Sequence, residues 1–179
     1  MDIADRFKRE QKSLGETLLK LRKIRHISQK ELAKICGLSV RVIRRIEKGE
    51  ANPEFKTLMK LAVGLKIPLK ILFDYKDNLK RSLANSINLG FNDLESKERR
   101  KLGKRILDLC KHRKISQEEL SVLSNIAASD MSLYINGDEN LVLLTLLKIA
   151  IGLEVDIVDL FNHRGPMPDN KTFKGKIQF

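Results

Sequence analysis

Residues 28–67 read SQKELAKICGLSVRVIRRIEKGEANPEFKTLMKLAVGLKI, and the punctuation of this stretch predicts short helices. Ser28 precedes Gln-Lys-Glu, so its hydroxyl can accept from a first-turn amide while Glu31 reaches back, the pattern of a helix N-terminus. Leu32 and Ile35 follow at helical spacing and Gly37 comes after Cys36 as a stop, which gives a helix over 29–36. Ser39 restarts a helix that turns Ile43 and Ile46 inward and ends at Gly49. Pro53-Glu54 opens a fourth helix carrying Phe55, Leu58, Leu61 and Ala62, and Pro68 opens a short fifth ending near Phe73. Upstream, Leu14, Leu18 and Leu21 mark the first helix of the set.

The same unit occurs twice. A shift of 88 residues pairs Leu14-Gly15 with Leu102-Gly103, Ser28-Gln29 with Ser116-Gln117, Glu31-Leu32 with Glu119-Leu120, Thr57-Leu58 with Thr145-Leu146, Gly64-Leu65 with Gly152-Leu153 and Leu72-Phe73 with Leu160-Phe161. The register never slips, and about a third of the aligned positions are identical. The expected fold is all-α, two tandem five-helix units. The expected domains are 1–75, a linker at 76–101 that is partly helical through Leu79, Leu83 and Ile87, a second unit at 102–163 and a basic tail at 164–179.

A helix, a tight turn at Gly37-Leu38 and a second helix let one helix cross a DNA backbone while the next enters the major groove. The run from Ser28 resembles the phage repressor and Cro (XRE) family, whose pattern SQxxLAxxxGxSxxxIxxxExG is met at Ser28, Gln29, Leu32, Ala33, Gly37, Ser39, Ile43, Glu47 and Gly49. The resemblance covers about residues 14–73 fully and 102–161 weakly, and leaves the first 13 residues, the linker and the tail unaccounted for. It implies lambda repressor-like helix-turn-helix domains and a sequence-specific, DNA-binding transcriptional regulator. With Ile43 and Ile46 inward, Val40, Arg41, Arg44, Arg45 and Lys48 face outward, and four of these five are cationic. The resemblance puts Val40, Arg41 and Arg45 at base-facing positions and lets Gln29 and Ser39 meet phosphates at two helix N-termini. Arg41 and Arg45 suit guanine O6 and N7, and Val40 suits a thymine methyl. Arg44 and Lys48 are candidates for base or phosphate contact. For an isolated helix, the plainer reading of these cations is a solvated basic face; the motif reverses that preference. Glu47 reads as a polar partner inside the domain and Gly49 as a helix terminus.

The second unit lacks this equipment. Gly37, Ser39, Val40, Arg41, Arg44, Arg45 and Glu47 become Asn125, Ala127, Ala128, Ser129, Ser132, Leu133 and Ile135. Residues 14–75 hold 14 bases and 6 acids (+8), whereas 102–163 hold 6 bases and 9 acids (−3), so phosphates are drawn to one unit and repelled by the other. Its core pattern of Ile106, Leu109, Leu120, Met131, Leu146, Ile149 and Leu153 survives. Leu133, Tyr134, Ile135 and Leu141–Leu144 form an apolar surplus, expected to make an interface for a homodimer or a protein partner, or to pack within the chain. The tail RGPMPDNKTFKGKIQF, at +3, reads as a solubilising segment or one touching the DNA backbone.

A net charge of +12 with 42% hydrophobic and 32% charged residues fits a foldable protein with a polyanionic partner such as double-stranded DNA. Cys36 and Cys110 fall at non-equivalent positions and form no CxxC pair, and His26, His112 and His163 are scattered, so no disulfide framework, metal site or cofactor is expected. No glycine-rich phosphate loop, paired-carboxylate site or nucleophile elbow is present, and catalysis is not expected. The absence of a long apolar run and the charged start MDIADRFKREQK point to a cytoplasmic protein with no membrane partner. Two rival readings stay open: an antitoxin or phage-encoded inhibitor whose second unit seizes an enzyme, and a nonspecific architectural protein.

Overall fold

The computed structural model describes residues 2–74, 92–163 and 165–168, and these form two compact all-α units that divide between Phe91 and Asn92. The first unit consists of α1 (Ile3–Ile24), α2 (Gln29–Cys36), α3 (Val40–Glu47) and α4 (Phe55–Gly64), closed by a 3-10 turn at Leu69–Leu72. Its boundaries follow from the residues at the ends. Ser28 Oγ accepts from the Glu31 amide at 3.1 Å and the Glu31 carboxylate accepts from the Ser28 amide at 2.6 Å, a complete capping box. Gly37 ends α2 in the left-handed region at φ 59°, which frees the Leu38 amide to close on Ala33 O at 2.9 Å. Ser39 then caps α3 through the Val42 amide, at 3.3 Å.

One buried stripe from each helix makes the core. Leu14, Leu18 and Leu21 of α1, Leu32 of α2, Ile43 and Ile46 of α3, Phe55, Leu58 and Leu61 of α4, and Leu72 are all almost fully enclosed. At about 25 cal/mol per Å² of apolar surface removed from water, burial of such side chains supplies most of the drive for a unit whose short helices would not persist alone. Gly15 is required where α1 crosses α3: a Cβ there would run into the Ile46 carbonyl and stand 2.8 Å from that of Glu47.

The second unit repeats this plan in α5 (Asn92–Arg113), α6 (Gln117–Leu123), α7 (Ala128–Asn136), α8 (Leu143–Gly152) and α9 (Ile157–Leu160). Its backbone keeps the 88-residue register in detail. The positive-φ residues among the described ones form four pairs at that spacing: His26 with Lys114, Gly37 with Asn125, Gly49 with Gly137, and Lys66 with Glu154. Replacement of Gly37 by Asn125 therefore preserves the turn, because asparagine tolerates the left-handed region better than other non-glycine residues. The capping box is preserved at Ser116 and Glu119, whereas Ala127, in place of Ser39, gives α7 no side-chain cap.

Two features add detail to the sequence expectation. Residues 92–101, assigned there to the linker, form the first turns of α5 and match the early turns of α1, so the repeat extends further upstream; the rest of the helical pattern in the linker lies outside the described residues. The apolar surplus of the second unit is largely used inside it. Leu141 and Leu143 are fully enclosed, Ile135 is buried, and Tyr134, Val142 and Leu144 are half-buried, which leaves Leu133 as the exposed member at 42%. The apolar surface is instead on α6, where Val122 is 78% and Leu123 46% exposed.

Candidate nucleic-acid interface

The turn at Gly37-Leu38 sets α2 against α3 and leaves one face of α3 to solvent. Burial of Ile43 and Ile46 fixes the rotation of that helix about its axis, and Arg41, Arg44, Arg45 and Lys48 are exposed as a result. Val40, in the first turn, is half-buried rather than fully outward. Ser39 is exposed, with its hydroxyl oriented by the Val42 amide. The four cations differ in readiness. Arg45 already donates from Nη2 to the Glu50 carbonyl at 2.9 Å, a bond within the turn that follows the helix.

Gln29 stands at the start of α2, half-buried, and donates from Nε2 to Glu47 Oε2 at 2.7 Å. The same carboxylate receives Arg22 from α1 at two points, Nε to Oε1 at 2.6 Å and Nη2 to Oε2 at 3.1 Å. Arg22 also donates from Nη1 to the Ile27 carbonyl at 2.9 Å, in the turn before α2. Glu47 is only 6% exposed at its side chain and Arg22 14%, so the pair is largely desolvated. The hydrogen bonds from Arg22 to Glu47 hold the guanidinium above its ordinary pKa, against a smaller opposing effect of burial. One carboxylate therefore ties α1, α2 and α3 together and holds the Gln29 amide in place. An amide nitrogen has two protons, and the second is available to an anion.

Sequence reading assigned Glu47 a place inside the domain but did not reach Arg22 or its hold on Gln29. A signal was present in the repeat: Arg22 and Glu47 become Cys110 and Ile135 together, an ion pair replaced by two apolar groups that are both buried. The second unit keeps Gln117 at the place of Gln29, but the carboxylate that would hold it is absent.

A capped helix, a glycine turn and a second helix presenting a cationic face define a helix-turn-helix protein. A family model described as helix-turn-helix matches residues 18–72, and one described as Cro/C1-type HTH DNA-binding domain matches residues 105–165. The ImmF control region 10 kDa protein of Bacillus phage phi105 is 36% identical over 61 residues, 34% of this chain and 68% of that protein. An uncharacterized HTH-type transcriptional regulator of Haemophilus influenzae is 46% identical over 46 residues, 26% of this chain and 47% of that protein. Among solved structures, a helix-turn-helix family transcriptional regulator from Vibrio cholerae is 29% identical with a TM-score of 0.38, covering 49% of this chain and 46% of its own. The chain belongs to the Cro/C1-type helix-turn-helix family, with two tandem domains of that type.

Cys36 and Cys110 are free thiols, both buried, and burial pushes each up to about 11. Among the described residues no group of three or more histidine, cysteine or acidic side chains is placed to hold a metal ion, and no helix is long and apolar enough to cross a membrane.

Proposed function

We propose that the chain is a sequence-specific DNA-binding transcriptional regulator acting in the cytoplasm, a repressor that binds a two-fold symmetric operator as a homodimer. In this reading residues 1–75 are the DNA-binding domain. Helix α3 enters the major groove, Arg41 and Arg45 read base edges, Val40 meets a thymine methyl, and Arg44 and Lys48 meet bases or phosphates beside them. Gln29 and Ser39 meet backbone phosphates at the starts of α2 and α3. The observation that carries the reading is the exposed cationic face of α3 set beside an amide braced by Glu47. Both are missing from the second unit, where residues 102–163 serve dimerisation or a protein partner. Half-sites then lie about 34 Å apart, one helical turn, or a multiple of it.

A second reading, an antitoxin or phage-encoded inhibitor whose first unit controls its own promoter, draws support from the exposure of Val122 and Leu123 on the acidic unit. Selection of bound fragments from a random DNA pool at physiological salt separates the two, with the full chain compared to an Arg41→Ala, Arg45→Ala variant. An enriched inverted repeat, lost in the variant, is the result expected for a dimeric operator-binding regulator. Absence of enrichment overturns sequence-specific operator binding and directs attention to a protein target of the second unit.

A further inference from the structure

The first turns of α1 add little to the core. Residues 3–13 contain no fully enclosed side chain, the buried stripe of the helix begins at Leu14, and the family match begins at residue 18. Their placement points to another use. Gly15 faces the last turn of α3, and Lys12 and Lys8 precede it at intervals of three and four, so all three lie along one side of α1. That line continues past the end of α3. A Cβ at Gly49 would stand 3.1 Å from the α-carbon of Lys12, which places Lys12 beside the residue that follows Lys48. Gln11 Nε2 donates to the Ala51 carbonyl at 2.7 Å, and Arg45 of α3 donates to the Glu50 carbonyl at 2.9 Å, so the turn at 49–51 is tied to α1 on one side and to the cationic face of α3 on the other.

We infer that Lys12 and Lys8 are contacts to the phosphate backbone of DNA, and that through them α1 extends the interface beyond Lys48. Both side chains are exposed. They stand one helical turn apart, about 6 Å along the axis, and a DNA strand offers a phosphate at about every 3.4 Å of its own axis, so the pair can meet two phosphates of one strand. An ammonium group binds a phosphate as a point charge and carries no base preference. Arg9, also exposed, turns about 100° away from this line and is left out of it. Asp5, Glu16 and Glu50 are exposed around it and keep the local net charge low, so the hold on DNA is by placed contacts rather than by a diffuse field. The inference rests on the reading of the first unit as DNA-binding, but not on its reading a particular sequence.

Affinity of the full chain for a selected duplex and for a random-sequence duplex, measured from low to physiological salt, tests this. The parent is compared with Lys8→Ala, Lys12→Ala and with Lys66→Ala, Lys70→Ala, a control pair of exposed lysines elsewhere on the same unit. The expected result for the first pair is a plot of log affinity against log salt that is shallower by about 0.9 per lysine, about 1.8 in all, on both duplexes and with base preference intact. Lys8→Arg, Lys12→Arg should restore the parental slope, and the control pair should leave it unchanged. Circular dichroism confirms that each variant keeps its helices. A slope equal to that of the parent, or a drop matched by the control pair, overturns the inference and leaves operator binding in place. A parent that enriches no sequence, yet loses slope on the random duplex with the first pair, supports the inference and overturns the operator reading instead. A parent that binds neither duplex overturns both.

Discussion

Arg22 grips Glu47 at two points across 25 residues of sequence, and the carboxylate it neutralises is the one that holds Gln29 at the entry to α2. A single part-buried ion pair thus joins α1 to the end of α3 and holds a candidate phosphate contact in place. At the equivalent positions the second unit carries Cys110 and Ile135, a replacement that removes the charge from both sides at once.

That exchange predicts a strong coupling between the two positions. Glu47→Ile alone leaves the part-buried Arg22 guanidinium without its carboxylate and should cost about 1 to 3 kcal/mol, because water still reaches the site. Adding Arg22→Leu should recover most of the loss, because an apolar pair of suitable volume replaces a part-buried ion pair at little cost. Urea unfolding of the parent, both single variants and the double variant closes the cycle. The rescued double variant should nevertheless bind DNA more weakly than the parent, since Gln29 has lost its brace. Additive costs would assign the pair to the surface.

The exposed face of α3 predicts a division of roles among its cations. Arg41→Ala should cost about 1 to 3 kcal/mol at the matched operator and relax the preference at one base pair. Arg45 already spends one donor on the Glu50 carbonyl, and if reaching a base breaks that bond, Arg45→Ala should cost less than Arg41→Ala by at most one exposed hydrogen bond, about 1 kcal/mol. Lys48→Ala should weaken all sequences alike and reduce the salt dependence by about one phosphate contact. Titrations on matched, singly mismatched and random duplexes at several salt concentrations read out all three variants. Uniform weakening by Arg41→Ala would reassign that residue to the backbone.

Both thiols should be silent toward alkylation in the folded chain. Burial first of all, offset slightly by Lys60 at Cys36, holds the Cys36 thiol at about 11, and Cys110 reaches about the same value in its own core. At neutral pH the thiolate fraction is then about two orders of magnitude below that of an ordinary cysteine. Iodoacetamide followed by mass spectrometry should show no adduct in buffer and two in denaturant. Because each unit holds one of the cysteines, peptide mapping at intermediate denaturant should also reveal which unit opens first. Rapid labelling of Cys36 under native conditions would show that the contact between α2 and α4 opens readily.

The plan of the fold was legible because its signals are local. Ser28 with Glu31, Gly37 and Gly49 each act within one turn of helix, and the 88-residue register carried them into the second unit. The exposure of Arg41, Arg44 and Arg45 was legible for a related reason, since burial of Ile43 and Ile46 fixes the rotation of a helix. The Arg22, Gln29 and Glu47 cluster was not, because separations of 25 and 18 residues leave no periodic trace. Which apolar residues of the second unit stay exposed was not legible, for another reason. In Leu141–Leu147 apolar residues dominate on every side, so periodicity cannot say which of them face inward, whereas a two-residue run such as Val122-Leu123 looks like ordinary core until its neighbours are known.

The second unit should also carry an acid-sensitive contact. Burial by itself would raise the Glu98 carboxyl, but hydrogen bonds from His163 at 3.3 Å and from Lys101 outweigh it and hold the group below its ordinary value. A carboxyl whose folded value is lowered binds its proton more tightly in the unfolded chain, so its contribution is complete above the ordinary carboxylate range and disappears as pH falls through and below it. The contact joins α5 to residue 163, where the second unit is completed, and its partial exposure limits its worth to about 1 kcal/mol. Glu98→Gln should therefore lower stability by about that amount at neutral pH and by nothing well below the carboxylate range. Urea unfolding of the parent and the variant across that range measures the difference. Parallel stability curves, separated equally at every pH, would show that Glu98 acts through packing rather than through its charge.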